Sequence, residues 1–454
     1  MYKLEIKLKQ HTPLIHFQYE QEGATLRASE VKPKLDKYIL TQLGDGDYEK
    51  GRAEAKANGW LVGKGDHPAL DFKVSIESSK RVMELKRQNG FKMNPKTKEY
   101  ILDNYGNKIP KYEVMPLFFG NTKTNEPKKM VMADEAITIK FFSFHNKLLN
   151  SISENINFFF FYNNFGTRQS KGFGSFYPLK ADLPDIHNKN EYHIFNVDAK
   201  TQRDEWGVFY TLFQYIDLFY KTLRSGINQN GSYFKSMMYH YAKEKEEYWD
   251  KRAIRSHFEL FTATINKNGR EVKEEIFGNI SEMKKNDLGE RSDFRNDTDK
   301  GNSMMLSTTA RLYRDMLGLS STQDWMKYGA TINKTIEGVD RYKSPLLIKP
   351  LYDEKVNKYR VYIIPQETDN DIKDKEVTIS VEYKSKNNRN PEILRKRRLR
   401  NLSSGILSTP SVFSISDYLN YVFNGEGHII AKEQIQNMVP GFIRNCLSII
   451  YDIR

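Results

Sequence analysis

Cysteine is almost absent from the chain. The 454 residues hold one, Cys446, so no internal disulfide framework exists and a reducing compartment, the cytoplasm, is expected. Long apolar runs are missing too: nowhere do eighteen uncharged apolar residues stand together, and MYKLEIKLKQ at the start alternates like a strand instead of forming a signal-peptide core. No membrane partner is therefore expected. The nine histidines show neither His-x-x-x-His nor Cys-x-x-Cys spacing, which removes support for a zinc site. Asp45 and Asp47 flank a glycine but lack the further carboxylates of a calcium loop, so a turn is their expected role. Gly-x-Ser-x-Gly and a phosphate loop ending in Gly-Lys-Ser/Thr are absent as well, and no cofactor is expected.

What the chain has in excess is positive charge and aromatic rings. Lys plus Arg is 71 against 58 Asp plus Glu, a net charge of +13, and aromatic residues make up 13%. A cationic surface with stacking rings fits nucleic acid, although solubility alone is a competing use of the charge. The length suits two or three domains. The most informative stretch is Asn157–Pro178, NFFFFYNNFGTRQSKGFGSFYP. Phe158–Tyr162 has the length and β-propensity of a buried strand. It leads into a loop in which Gly166, Gly172 and Gly174 allow tight backbone angles, Arg168 and Lys171 add charge, and Phe165, Phe173 and Phe176 offer rings. Such a loop suits a phosphate backbone with bases stacked beside it; an ordinary hairpin turn, with the phenylalanines in the core, is the plainer alternative.

Tyr2, Leu4, Ile6 and Leu8 alternate with charged residues, which predicts a half-buried first strand. From Arg27, the positions Val31, Leu35, Tyr38, Ile39 and Leu43 predict a helix capped by Ser29, with Pro33 in its first turn. Arg27, Lys32 and Lys34 lie at the end of that helix that a ligand could reach; a solvated face is the competing reading. Residues 44–65 read as a loop or inserted hairpin, and 80–112 as an extended mobile insertion. Strands are expected at Asp71–Ile76, Met115–Phe119 and Ala136–Phe142, with a helix over His145–Ile156. This alternation is that of a ferredoxin-like βαββαβ unit.

In the second half, Trp206–Leu223 and Tyr233–Trp249 predict helices, and Trp249 with Lys251, Arg252 and Arg255 forms an aromatic–cation cluster able to clamp a backbone or merely to complement a helix dipole. Residues 266–300 read as loop or disorder, Ser303–Leu317 as helix, Leu346–Ile348, Tyr359–Ile364 and Val377–Tyr383 as strands of a second sheet, and Pro391–Leu399 as an arginine-rich helix. Ser416–Phe423, Lys432–Met438 and Phe442–Ile450 close the chain as packing helices. The fold class expected is α+β, two ferredoxin-like (RRM-like) units with a helical insertion between them. The expected domains are 1–185, 186–330 and 331–454.

Several stretches carry a family resemblance. They are ThrProLeuIleHis at the end of the first strand, the Arg-containing entry to the first helix, PheGlyAsn at 119–121 with AlaAspGluAla at 133–136, and GTRQSKGFGS at 166–175. In that order they resemble the RAMP superfamily of CRISPR-associated proteins, and Ser236, Trp249–Arg255 and RYKSPLLIKP at 341–350 resemble the later part of the large RAMP subunit of Cmr (type III-B) complexes that sits towards the guide's 3′ end. The resemblance implies ferredoxin-like domains, a glycine-rich loop near guide RNA, guide and target RNA as partners alongside other RAMP subunits, and no catalytic role. Thr167 and Gln169 depart from the family loop, which often has a Gly pair and more arginine there. Two alternatives stay open. One is a metal-independent endoribonuclease of guide precursors, for which His16 would be the acid or base. The other is a protein-only docking subunit.

Overall fold

A computed structural model describes residues 1–15, 26–63, 68–77, 82–117, 130–184, 192–198, 204–229, 231–247, 261–267, 270–276, 294–295, 310–325, 330–339, 342–366, 372–383 and 407–453. His16, PheGlyAsn at 119–121, Arg252, Arg255 and the expected helix at 391–399 lie outside them. The chain forms two units, one of Met1–Tyr220, Leu346–Pro365 and Pro440–Arg454, the other of Lys221–Pro345 and Gln366–Val439.

In the first unit, strand β1 (Tyr2–Gln10) has the expected alternation, with Leu8 fully buried. Helix α1 (Ala28–Leu43) comes next and buries Val31, Leu35, Ile39 and Leu40. Its N-cap is Arg27, not Ser29, and Pro33 falls two residues further in than expected. Strands β2 (Lys73–Glu77) and β3 (Ile137–Ser143) form after it, then helix α2 (Asn146–Phe161) and the short strand β4 (Phe176–Pro178). The antiparallel sheet runs in the order β4-β1-β3-β2, with Leu8 opposite both Ile137 and Pro178.

Phe158–Tyr162 is not a strand. The helical spacing of Leu148, Leu149, Ile152 and Ile156 continues through Phe159 and Phe160, so α2 carries the phenylalanines inward and leaves Phe158 exposed. A short run of consecutive apolar residues fits either element, and here the preceding period decides. The last strand of the unit thus comes after the glycine loop instead of before it. Ring contacts bind the three elements together: Phe159 to Phe160 at 5.1 Å, Phe160 to Phe165 at 5.7 Å, and Phe165 to Phe176 at 6.0 Å. Each such buried ring contributes about 1.5–3 kcal/mol.

Two insertions interrupt this order. The expected loop after α1 contains a helix, Tyr48–Ala57, which Asp47 caps by accepting from the N–H groups of Glu49 and Lys50. No strand forms over the described part of the Met115–Phe119 expectation. Within the insertion expected to be extended, residues form a hydrogen-bonded ribbon between Arg87 and Glu113.

Further along, β5 (His193–Asp198), α3 (Glu205–Arg224), β6 (Leu346–Asp353), β7 (Lys358–Pro365) and α4 (Phe442–Ile450) give a second antiparallel sheet in the order β5-β7-β6. The second unit holds the strands Thr322–Trp325, Ala330–Ile336 and Val377–Tyr383 in one sheet, so Val377–Tyr383 does not join β6 and β7 as expected. Its helices include Met237–Glu244, Ile415–Asn424 and Glu426–Gln436. The expected helix from Tyr233 begins instead with a strand, Ser232–Phe234, and Ser236 caps the helix Met237–Glu244 by accepting the Tyr239 N–H. Of the Ser303–Leu317 expectation, the described part is a bridge strand, Ala310–Arg311, and a 3-10 turn, Tyr313–Leu317. Inside this unit Lys334 and Asp315 form a wholly buried ion pair, and Tyr241 packs against Tyr313, Phe413, Tyr418 and Tyr421.

His11 ties β1 to β6 and β7. Its Nδ1 accepts the Tyr352 N–H at 2.9 Å, and its carbonyl accepts from the Tyr359 hydroxyl at 3.1 Å. Burial, then the charges of Lys349 and Lys9, hold its pKa well below 6.5, and burial pushes His193 down to about 4. An unfolded chain takes up protons near 6.5 that these folded rings refuse. The neutral rings therefore contribute stability above that pH, and it is lost as the pH falls toward the folded pKa values. Urea unfolding should show a midpoint that drops as the pH is lowered from 6.5 toward 4, and His11→Asn should flatten part of that slope. An undiminished slope in the variant would contradict this role for His11.

Candidate nucleic-acid interface

The glycine loop lies between α2 and β4, and much of its backbone is anchored to the protein. Thr12 Oγ1 donates to the Gly172 carbonyl at 2.7 Å and accepts the Ser175 N–H at 2.9 Å. The Gly174 N–H reaches the Pro13 carbonyl, and the Thr167 N–H the Ile15 carbonyl, each at 2.8 Å. Glu30 on α1 accepts the Gly166 N–H at 2.7 Å. From β6, the Ile348 carbonyl accepts from Asn164 and the Pro350 carbonyl accepts from Ser175 Oγ, both at 2.9 Å. Three of the stretches that carry the family resemblance, around Thr12, at the entry to α1 and at RYKSPLLIKP, therefore converge on the fourth.

Lys349 closes the clamp. Its side chain is fully buried, and Nζ donates to the Asn163 carbonyl at 3.0 Å, Asn164 Oδ1 at 3.1 Å and the Phe176 carbonyl at 2.9 Å. Burial, then the charge of Lys34, pulls its pKa well below the ordinary lysine value. Against this, three oxygens match the three donors of an ammonium and compensate its desolvation.

The glycines are explained by this packing. Gly174 has φ +66, and a Cβ there would stand 1.9 Å from the Phe165 carbonyl oxygen. Gly172 has φ +91 and abuts Pro350, whose Cγ would lie 3.0 Å from an added Cβ. Both requirements come from the protein interior, not from a close ligand. Phe165, Phe173 and Phe176 are fully buried, and Phe173 stacks on Phe213 with centroids 3.9 Å apart, so no base can reach these rings.

What remains near solvent is the apex, Thr167–Ser170, which is half-exposed. Arg168 sits there in left-handed backbone geometry, φ +61. Partial burial lowers its guanidinium pKa, offset by Tyr220, yet an arginine stays cationic at neutral pH. Lys171 is nearly buried, with Nζ 3.0 Å from the Tyr220 ring centroid. Lys34 donates to the Asn164 carbonyl at 3.0 Å and to Gln169 Oε1 at 2.8 Å, so it braces the loop from α1. Lys32 is turned away to Asp36 at 2.7 Å and the Leu70 carbonyl at 2.9 Å, beneath which lies the Phe72 ring. Arg27 is half-exposed at the N-cap of α1. Structure thus gathers Gly166, Arg168, Lys171, Gly172, Phe173, Gly174 and Lys34 in one place and sets Lys32 apart, among Asp36, Leu70 and Phe72.

A cleft of about 460 Å³ is lined by Lys9, His11, Tyr352, Asp353 and Arg360 among others. Its charges are engaged with one another, Arg360 with Asp353 and Lys9 with Glu354. Among the described residues no group of three or more His, Cys, Asp or Glu could hold a metal, and no helix is long and apolar enough to cross a membrane.

Comparison with known proteins gives the family. The Cmr1 N-terminal domain matches residues 1–227 and the Cmr1 C-terminal domain residues 233–445. Those matches, over an α+β fold with a clamped glycine loop, define a RAMP-like protein of the Cmr, or type III-B, class. Within that class, the chain belongs to the Cmr1 family. It is similar to the crystal structure of Cmr1 from Pyrococcus furiosus in its apo form at 10% identity, with a TM-score of 0.30 over 81% of this chain and 89% of that one. No curated protein matches.

Two substitutions test the clamp. Lys349→Met removes the donor from three buried oxygens and should cost about 3 kcal/mol of stability. Gly174→Ala must displace the Phe165 carbonyl and should cost at least about as much, whereas Ser170→Ala at the apex should change stability by no more than about 0.5 kcal/mol. Urea unfolding of the three variants measures all of these.

Proposed function

We propose that the chain is a non-catalytic RNA-binding subunit of a type III-B Cmr effector complex, working in the cytoplasm, that holds or caps the 3′ part of the guide–target RNA duplex. The observation that carries this reading is the loop apex. A turn clamped from the segment that follows β1, from α1 and from β6 presents Arg168 beside half-exposed Gln169 and Ser170, with Lys34 and Lys171 adding charge behind it. A preorganised cationic turn binds a phosphate backbone without reading bases. Sequence would then be read by pairing between guide and target.

The fold fits the same reading. The order β1-α1-β2-β3-α2-β4 with the sheet order β4-β1-β3-β2 is that of a ferredoxin-like unit, and β5-α3-β6-β7-α4 with the order β5-β7-β6 repeats it without a fourth strand. We read the chain as two such units interrupted by insertions. A non-catalytic role is supported by the neutral, internally bonded His11 and by the self-paired charges of the cleft.

Arg168→Ala should weaken binding of single-stranded RNA about tenfold for every sequence tried, and should lower the slope of log affinity against log salt by about 0.7, one phosphate's share. Fluorescence anisotropy over a salt series reads both. Unchanged affinity and slope would favour a subunit that docks on proteins alone, and cleavage of repeat RNA lost in His16→Ala would favour the endoribonuclease.

A further inference from the structure

The insertion between Arg87 and Glu113 is anchored at its base and bare beyond it. Leu85 is buried and its N–H donates to the Met130 carbonyl at 2.9 Å. Arg87 pairs with Glu113 and Asp204, and Trp206 Nε1 donates to Glu113 at 3.0 Å. From there, every residue between Gln88 and Lys108 is exposed. Order comes from local bonding. Gln88–Phe91 pairs with Pro110–Tyr112, Met93 bridges Tyr100, and Leu102 bridges Lys108. Asn94 and Asp103 shape the two turns by accepting backbone N–H groups of Lys96, Tyr105 and Asn107 at 2.8–2.9 Å.

The exposed side chains are of two kinds. Phe91, Tyr100, Tyr105 and Tyr112 are aromatic, with Tyr105 90% exposed. Between residues 86 and 112 stand seven Lys or Arg, of which Arg87 pairs with Glu113 and Asp204 and Lys86 with Glu84, against two carboxylates, one of which, Asp103, is spent on its turn. Rings and cations are interleaved in space: Lys108 Nζ is 4.1 Å from the Tyr100 centroid and 5.7 Å from that of Phe91, and Lys86 is 5.8 Å from Tyr112. Lysines alone would be accounted for as guards against strand pairing at an exposed edge. Rings left in water need another account, since an exposed apolar patch marks a binding surface. With a cation excess beside them, the partner is polyanionic and offers flat faces.

We propose that this ribbon is a second RNA-binding element, which takes an unpaired segment of RNA by stacking bases on Tyr100 and Tyr105 while Lys92, Lys96 and Lys98 neutralise its phosphates. The proposal rests on the RNA-binding reading above for the identity of the polyanion, and it adds a surface remote in sequence from the glycine loop.

The test is anisotropy of fluorescein-labelled single-stranded polyuridine with the full chain, over a salt series. Tyr100→Ala/Tyr105→Ala should weaken binding about tenfold with the salt slope kept, and Lys96→Ala/Lys98→Ala should lower that slope by about 1.4. All four side chains are exposed, so folding is not at stake. If both ribbon variants bind like the parent while Arg168→Ala loses affinity, the ribbon proposal is overturned and the loop reading stands. If the parent fails to bind polyuridine, both are overturned. Ribbon variants that keep RNA affinity but no longer co-purify with co-expressed Cmr subunits would show a protein-docking surface and overturn the proposal too.

Discussion

The first unit is tied together at one buried lysine. Lys349 enters from β6, gives up water entirely, and recovers its hydrogen bonds from two main-chain carbonyls and an amide oxygen at the two ends of the glycine loop. A buried charge is tolerated only when its partners are complete, and here completeness requires α2, the loop and β4 to be in register at once. The segment from Asn163 to Phe176 is thereby fixed at both ends to a strand nearly two hundred residues later in the chain. Asn164 repeats the arrangement, because it accepts from Lys349 and donates to the Ile348 carbonyl and to the Gln169 carbonyl inside the loop.

This changes what the glycines are for. A loop with Gly166, Gly172 and Gly174 invites the view that bare backbone meets a ligand. Instead the bare backbone meets Ile15, Pro350 and Phe165. The consequence for function is a rigid apex: only Thr167–Ser170 keeps contact with water, and it is held in a strained turn by groups that cannot move independently. Rigidity of that kind favours binding of a backbone in a fixed place, since little ordering remains to be done when a partner arrives.

Much of the frame is legible in the sequence. Period-two alternation marks β1, and period-3.6 spacing marks α1 and the helix from Glu205, because each has one wet and one dry face. Phe158–Tyr162 misleads because five consecutive apolar residues carry no period of their own; Leu148 to Ile156, just upstream, already set it. Asp47 is readable as a cap by residue type, but the helix it starts is nearly all polar or small and so escapes notice. The ribbon between Arg87 and Glu113 is hidden for a deeper reason: it has no dry face, so no burial period exists to be read. At the site, charge draws attention to Lys32 and Lys34, which the fold commits to Asp36 and to the loop, respectively. Lys349 does carry a sequence signal, a lone lysine inside the apolar run Leu346–Leu351.

If this Cmr1-family chain works on RNA inside a multi-subunit complex, as proposed, RNA should travel with it. The most direct measurement is to purify a tagged copy from cells that carry its native gene neighbourhood and sequence whatever RNA comes with it. Guide RNAs of defined length with a shared repeat-derived tag should be recovered together with other RAMP subunits, and a monomer free of RNA would overturn the RNA-binding role.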